Sequence, residues 1–232
     1  MTEHPRPLVM AVIPALNEEA SITRVVDSLR DLVHTVVVCD NGSTDATASL
    51  ASEAGAVVVF EPHRGYGAAC QRALMVLQTL PHDIVLFVDA DLSDDPRDVP
   101  RVLEQVINGR ADLVIGSRLA GSRERGSLTP PQVFGNWLAT WLIALLWRVK
   151  FTDLGPMRAI TTRALEQLDM QDRAFGWTVE MQIKAAKLGL RCAEVPVSYR
   201  RRVGTSKISG TVSGTIRAGI TILSTIARYA IR

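Results

Sequence analysis

The residues best suited to chemistry are two aspartates, Asp89 and Asp91, which flank Ala90 directly after an apolar run. That run, residues 84–88, is apolar throughout, as is typical of a strand buried on both faces of a parallel sheet. Because open α/β sheets bind ligands beyond the carboxyl ends of their strands, both carboxylates are predicted to face a ligand. Crowded carboxylates repel each other unless a cation joins them, and hard oxygen ligands favour Mg²⁺ or Mn²⁺. The alternative is a solvated acidic turn, because further aspartates follow closely.

Short apolar runs alternate with helical patterns over the first half of the chain, which predicts an α/β fold with a parallel sheet and right-handed crossovers. The runs start near Leu8, Val36, Val57, Ile84 and Leu113. The helical patterns between them cover residues 18–32, 45–53, 67–80 and 96–108.

Each apolar run leads into a polar cluster, and the carboxyl ends of parallel strands share one edge of a sheet. The clusters are residues 14–19, 40–45, 61–67, 89–91 and 116–118. Together they outline a crevice of nucleotide size. The stretch Gly65-Tyr66-Gly67 follows the third run and lacks the third glycine of a dinucleotide-binding loop, which argues against a dehydrogenase.

Charge is distributed unevenly along the chain. Residues 1–116 contain 8 Lys/Arg and 17 Asp/Glu, whereas residues 117–232 contain 18 and 7. The acidic half is suited to a metal ion and the basic half to phosphate, whose geometry matches the planar arginine fork. Unevenly charged solvated faces would give the same counts. The three cysteines are widely spaced and odd in number, so neither a disulfide framework nor a zinc site is predicted.

Two helical segments of the second half are candidates for contact with a membrane. Residues 134–149 are apolar nearly all round and contain three tryptophans, which predicts a helix that is either buried or interfacial. Residues 208–231 have an amphipathic pattern, which predicts a helix with three alternative roles: lying on a bilayer, packing on the domain or mediating a dimer. Between the predicted sheet and these helices, residues 119–131 are predicted to form a flexible, arginine-containing loop. No stretch reaches the ~18–20 apolar residues of a membrane span.

Eight segments together resemble the family 2 glycosyltransferases, in particular dolichol-phosphate mannose synthases and bacterial polyprenyl-phosphate sugar transferases. The segments are IPALNEE (13–19), DNGSTDAT (40–47), RGYGAAC (64–70), VDADLSDDP (88–96), GSR (116–118), DLGPMRAI (153–160), GWTVEMQIKAAKLGL (176–190) and VPVSYRRRVGTSKISGT (195–211). The resemblance implies a GT-A fold over residues 1–207, followed by an amphipathic helix over residues 208–232. It also implies a nucleotide-sugar donor such as GDP-mannose or UDP-glucose, Mg²⁺ or Mn²⁺, and an inverting transfer of a hexose.

The resemblance also implies roles for individual residues. Asp91 is expected to be the principal metal ligand, with Asp89 at the metal or the ribose. Arg118 is expected to contact phosphate or acceptor, and Arg202 and Lys207 belong to a basic lid. The remaining donor-binding candidates are Pro14, Ala15, Asn17, Glu18, Asp40, Gly67 and Ala90. One departure concerns Ser93, which stands where this branch commonly has a glutamine near the metal.

The sequence leaves more than one chemical class of acceptor open. Arginines are abundant and acids scarce after residue 117, which favours a polyprenyl phosphate that needs no deprotonation. A hydroxyl acceptor, on a lipid or a saccharide, would need a base, for which Asp153 and Glu180 are the candidates. A scaffold that retains the fold without turnover is the non-enzyme alternative. We expect a cytoplasmic protein at the inner face of the membrane, bound peripherally, through an anchoring partner or as a homodimer, with no nucleic-acid partner.

Overall fold

The computed structural model describes residues 7–204 and 212–231, in which one mixed sheet forms the centre of the fold. Its strands are β1 (Val9–Ala15), β2 (Thr35–Asp40), β3 (Val57–Phe60), β4 (Ile84–Phe87), β5 (Leu113–Ser117), β6 (Arg158–Thr161) and β7 (Cys192–Pro196). Their order across the sheet is β3-β2-β1-β4-β6-β5-β7. The five strands predicted from the apolar runs are confirmed, and β6 and β7 are additional.

Helices cover both faces of the sheet and create two hydrophobic cores. They are α1 (Ile22–Leu29), α2 (Thr47–Glu53), α3 (Tyr66–Leu77), α4 (Val99–Ile107), α5 (Pro130–Trp147), α6 (Thr162–Leu168), α7 (Trp177–Lys187) and α8 (Val212–Ile231). Alternate residues of β1 belong to opposite cores, because successive side chains of a strand point to opposite faces. The first core also receives α1, α2 and α4, and the second receives α3, α5, α6, α7 and α8.

Strand β6 lies between β4 and β5 and is antiparallel to both, so that β4 and β5 run in the same direction as each other. Arg158, its first residue, pairs with Phe87 at the carboxyl end of β4 and with Ile115 of β5. The loop that precedes β6 therefore lies at the same edge of the sheet as the polar clusters. This reversal brings residues 153–157 to the site, which a purely parallel sheet would not do.

Helix α5 has one buried face and one exposed apolar face. It begins at Pro130, inside the stretch predicted as loop, because proline suits a first helical turn and the Thr129 N–H donates to Gln132 Oε1. Ala139 and Ile143 are buried, whereas the Trp137 and Trp141 side chains are 55% and 50% exposed. The predicted burial is therefore confirmed for one face of the helix, and an interfacial role for the exposed face stays a prediction.

Helix α8 packs against α5 and α7 and buries Ile226. It also exposes apolar side chains, so that α5 and α8 together present what we call the apolar face. Its members are Phe134, Trp137, Trp141, Leu145, Ile216, Ile220 and Leu223. Packing on the domain, one of the three roles predicted for this segment, is confirmed. None of the described helices is both long and apolar enough to cross a membrane.

Candidate active site

Asp89, Asp91 and Asp94 lie together beyond the carboxyl end of β4. Asp91 and Asp94 are buried, and the Asp89 N–H lies 3.4 Å from Asp94 Oδ2. Asp91 Oδ1 accepts the Ser93 N–H at 2.9 Å, which shapes the turn. The acidic stretch is thus not a solvated turn, and the alternative interpretation of this sequence is wrong. Even Asp95 is buried and ion-paired, with Arg97 and Arg200.

Concentrated negative charge dominates this cluster. Burial, followed by the charge of Asp91, raises the pKa of Asp89. Burial and the charge of Asp89 raise the pKa of Asp94 well above its usual range. Both shifts show that a further proton or a cation would relieve the electrostatic repulsion here.

The donor set suits a hard divalent cation whose remaining ligands come from a substrate. Ser93 Oγ and Asp94 Oδ1 are buried without hydrogen-bond partners, so the cluster has unused oxygen ligands. Within residues 7–204 and 212–231, no three His, Cys, Asp or Glu side chains converge on a preformed metal site. Mg²⁺ is commonly bound by one or two carboxylates together with substrate phosphates and water, and this cluster fits that pattern.

The loop after β1 is fastened to the loop after β2. Asn17 has a left-handed backbone, with φ of 53°, and its Oδ1 accepts the Thr44 N–H. Its own N–H donates to Ser43 Oγ, and the Glu18 N–H donates to Thr47 Oγ1. Asn17 therefore helps to hold these two loops together.

The other predicted donor-binding residues differ in what they can offer a ligand. Asp40 is buried, and its Oδ1 accepts the Ser43 N–H. Ala15 and Ala90 have their methyl groups in the core, which leaves only their backbone groups for a ligand. Pro14 is half-buried at the end of β1.

Gly67 has a packing role at the start of α3. A Cβ on Gly67 would lie 2.1 Å from the carbonyl oxygen of Asp172, so no other residue fits there. Its N–H donates to the carbonyl of Ala174, which docks the loop before α7 on the crevice. The donor-binding role assigned to Gly67 stays a prediction.

Arg118 and Asp153 form a buried, bidentate ion pair. Arg118 Nε donates to Asp153 Oδ2 at 2.8 Å, and Arg118 Nη2 donates to Oδ1 at 2.7 Å. The Arg118 backbone N–H donates to Oδ2 as well. Burial opposes the charge on Arg118, but the bonds to Asp153 outweigh it and raise the pKa of Arg118. With both oxygens engaged, Asp153 is placed to orient Arg118; its role as a base stays a prediction.

Residues 197–203, which we call the strap, cross the acidic cluster. The Arg200 N–H donates to the carbonyl of Ser93, and the Val203 N–H donates to that of Asp91. Tyr199 forms isolated β-bridges, through the backbone, with Asp94 and Arg123. The Arg118 guanidinium lies 5.0 Å from the centre of the Tyr199 ring. The strap therefore also holds the loop at residues 119–129, which does not stand free as the flexible-loop prediction implies.

Arg202, on the strap, reaches two carboxylates of the site. Its Nη2 lies 2.6 Å from Glu18 Oε1, and its Nη1 lies 3.4 Å from Asp91 Oδ2. Arg202 of the basic segment thus lies beside Glu18 and Asp91, two residues of the predicted site, and its role in a lid stays a prediction. Lys207, its predicted companion, lies outside the described residues.

Glu180, the second candidate base, is fully occupied by structural contacts. Its carboxylate accepts the Tyr229 hydroxyl at 2.6 Å, the backbone N–H groups of Gln171 and Asp172, and the Lys184 ammonium. Burial raises the pKa of Glu180, but these bonds outweigh it and lower the pKa below its usual value. Glu180 therefore ties α8 to α7.

A cavity of about 860 Å³ is lined by the loop at residues 119–129 and the first turns of α5. One end is lined by Arg123 and Arg125 of the loop before α5, and the other by Phe134 and Trp137 of α5. We call it the arginine–aromatic groove. Because Phe134 and Trp137 also belong to the apolar face, the groove opens directly onto that face.

Comparison with known proteins decides the family. The model of "Glycosyl transferase family 2" matches residues 10–168, more than half of the chain. The chain is a family 2 glycosyltransferase. The resemblance stated from the eight segments is therefore confirmed, and with it a glycosyltransferase activity and, from the solved structures, a GT-A fold.

Relatives of this family 2 glycosyltransferase cover nearly all of its length. An uncharacterised glycosyltransferase of Mycobacterium tuberculosis is 38% identical over 90% of this chain and 94% of its own. The undecaprenyl-phosphate mannosyltransferase of Micrococcus luteus is 30% identical over 95% of this chain and 96% of its own. Among solved structures, glucosyl-3-phosphoglycerate synthase of M. tuberculosis, in complex with Mn²⁺, UDP and phosphoglyceric acid, matches with a TM-score of 0.77. That structure is 26% identical and covers 97% of this chain and 78% of its own.

The structure adds residues that sequence reasoning did not assign to the glycosyltransferase site. Tyr66 donates its hydroxyl to Asp89 Oδ1 at 3.1 Å, Asp94 joins the acidic cluster, and Tyr199 covers Arg118. Tyr66 and Asp94 lie inside the quoted segments, so their position beside glycines and aspartates was an available signal. The contact between Tyr199 and Arg118 had no such signal, because 81 positions separate the two residues.

Proposed function

We propose that this enzyme is an inverting glycosyltransferase that moves a hexose from a nucleotide sugar to a polyprenyl phosphate at the cytoplasmic face of a membrane. GDP-mannose and UDP-glucose are the donor types considered. The observation that carries the proposal is the arginine–aromatic groove, which joins a cationic end at Arg123 and Arg125 to an aromatic end on the apolar face. A lipid phosphate has the same two parts, an anionic head and an apolar chain.

The donor side is supported by the acidic cluster. Asp91, with Asp89, would hold Mg²⁺ or Mn²⁺, and the mycobacterial synthase was solved with Mn²⁺ and UDP. When bound, the cation supplies Lewis-acid stabilisation of the departing diphosphate. Asp40 and the fastened loop after β1 would orient the nucleoside, and Arg202 would add positive charge beside the diphosphate. Preorganised charge of this kind contributes a few kcal/mol per contact, typically about 3.

The acceptor side requires orientation more than deprotonation. In the proposed step, an acceptor phosphate oxygen forms a bond to the anomeric carbon while the bond from that carbon to the nucleoside diphosphate breaks. Arg123 and Arg125 would hold the acceptor phosphate, and Arg118, fixed by Asp153, would shape the passage between the two sites. A phosphate monoester is already anionic near neutral pH, so the step needs no base. This agrees with the engagement of Asp153 and Glu180 in other contacts.

A second acceptor class is favoured by a specific observation. The structurally similar mycobacterial synthase was solved with phosphoglyceric acid, a water-soluble phosphorylated acid. The arginine end of the groove would suit such a compound equally well. Its aromatic end would then have no role in binding, and this difference separates the two acceptors.

The assay that tests the proposal measures sugar transfer by the full chain. Purified enzyme is incubated with Mg²⁺ or Mn²⁺, radiolabelled GDP-mannose or UDP-glucose, and either undecaprenyl phosphate or 3-phosphoglycerate. We expect radiolabel in the organic extract with the lipid acceptor. Label in the aqueous product with phosphoglycerate alone would support the second class. No transfer to any acceptor from either donor would contradict the proposal.

Membrane contact is tested by changing the apolar face without disturbing the core. We expect Trp137→Ser and Trp141→Ser each to weaken binding to anionic vesicles by roughly tenfold, because each substitution removes a large apolar side chain available to the interface. Co-sedimentation with vesicles measures the change. Met75→Ser is the matched control, because Met75 is 58% exposed on α3, a helix that does not contribute to this face. Equal losses for Met75→Ser and the tryptophan variants would contradict the assignment of the face.

A further inference from the structure

The Arg202 guanidinium lies between two carboxylates that come from distant parts of the chain. Glu18 belongs to the loop after β1, and Asp91 to the turn after β4. The distances, 2.6 Å to Glu18 and 3.4 Å to Asp91, show that Glu18 is the closer partner and Asp91 the looser one. Arg202 therefore places a positive charge beside the carboxylate expected to bind the divalent cation.

The guanidinium is only partly satisfied in this position. Arg202 Nε is buried and has no hydrogen-bond partner, although arginine has five N–H donors and keeps its charge at any relevant pH. In the turn that contains Asp91, Ser93 Oγ and Asp94 Oδ1 are also buried without partners. Unused donors and acceptors among Arg202 and the residues that follow Asp91 suit a site that changes partners when a ligand arrives.

We propose that Arg202 is the resident counter-cation of Asp91 in the nucleotide-free enzyme and gives up that carboxylate to the divalent ion. Glu18 is then a positioning residue, which keeps the guanidinium at the site after the exchange. The inference rests on the proposed function, because it takes Asp91 as the metal ligand. It goes beyond that function in assigning Arg202 a role before any substrate binds.

The exchange makes binding of the metal and of the nucleotide interdependent. A divalent ion alone must displace Arg202 from Asp91 and leave the guanidinium with one carboxylate fewer. A nucleoside diphosphate supplies new oxygens for the displaced guanidinium, which lowers the cost of the exchange. By thermodynamic linkage, each ligand then raises the affinity for the other by the same factor.

The test titrates the full chain with Mn²⁺ alone and follows the free ion by electron paramagnetic resonance. We expect Arg202→Met to bind Mn²⁺ about tenfold more tightly than the wild type, within the usual range of coupling between sites. Arg202→Lys keeps a positive charge and is expected to stay near the wild-type affinity. Arg200→Met is the matched control, because Arg200 lies on the same strap but pairs with Asp95, which retains Arg97.

Adding UDP or GDP in parallel titrations completes the test. Whichever nucleotide binds should raise the Mn²⁺ affinity of the wild type by a larger factor than that of Arg202→Met. Arg202→Gln is the second variant if the methionine variant does not give a wild-type circular dichroism spectrum. Asp91→Asn identifies which part of the Mn²⁺ binding belongs to this site.

The outcomes separate the inference from the proposed function. Asp91-dependent Mn²⁺ binding that is no tighter in Arg202→Met than in the wild type would overturn the inference and leave the proposed function standing. An equal gain in Arg200→Met would also overturn it, because the effect would then reflect general charge and not exchange at Asp91. Absence of Asp91-dependent binding in all variants, with and without nucleotide, would overturn both.

Discussion

Asp91→Asn is expected to lower kcat/KM for sugar transfer by at least about 10³-fold, which corresponds to roughly 4 kcal/mol of transition-state stabilisation. The physical reason is charge. Asparagine has nearly the same shape and can still accept the Ser93 N–H through its side-chain oxygen, but it removes the negative charge that would bind the cation. The fold should therefore persist while stabilisation of the departing diphosphate is lost.

Two measurements check this first prediction. The transfer assay gives kcat/KM, and thermal unfolding with GDP or UDP, in the presence and absence of Mn²⁺, reports metal-dependent nucleotide binding. Asp27→Asn is the matched control, because Asp27 is an exposed aspartate on α1 whose partner is Arg30. Wild-type transfer by Asp91→Asn would refute the metal role of this residue.

Arg118→Met is expected to lower the free energy of unfolding by about 3–5 kcal/mol, because it leaves Asp153 charged, fully buried and without its ion-pair partner. Surface ion pairs behave differently and contribute about 0–1 kcal/mol. Urea unfolding followed by circular dichroism measures the loss. The matched surface variant is Arg191→Met, which removes the exposed arginine of the ion pair between Arg191 and Asp112.

A double substitution separates stability from function at this pair. Arg118→Met combined with Asp153→Asn removes both charges, and the amide oxygen can still accept the backbone N–H of residue 118. We expect this variant to recover most of the lost stability but not the transfer activity, since the fixed guanidinium is absent. Asp153→Asn alone is also expected to lower the free energy of unfolding, because it leaves the Arg118 guanidinium buried without its charged partner. A loss below about 1 kcal/mol in Arg118→Met would contradict the buried-pair argument.

Most of the sheet was predictable because local sequence carries the signal. The five runs near Leu8, Val36, Val57, Ile84 and Leu113 are apolar enough to identify strands without knowledge of their neighbours. Strands β6 and β7 carry no such run, since Arg158 and Glu194 interrupt their apolar residues. They form strands because the edges of β4 and β5 offer them hydrogen-bond partners, and that is a tertiary condition.

The site divides in the same way. The polar clusters after the strands, Asp89 and Asp91 among them, could be placed at one edge of the sheet from sequence, because parallel strands bring their carboxyl ends together. The charges that act on these residues come from elsewhere in the chain. Arg118 meets Asp153 across 35 positions and Arg202 meets Glu18 across 184, separations that no periodic pattern encodes.

What the sequence by itself determined is the order of the elements, the family and the residue types at the strand ends. Only the tertiary structure decided that Asp153 and Glu180 are engaged in other contacts, that Arg202 stands beside Asp91, and that the arginines of the groove adjoin an exposed aromatic face. The reason is that burial and charge pairing depend on which groups lie within a few ångströms of each other in space. That proximity is unrelated to separation along the chain.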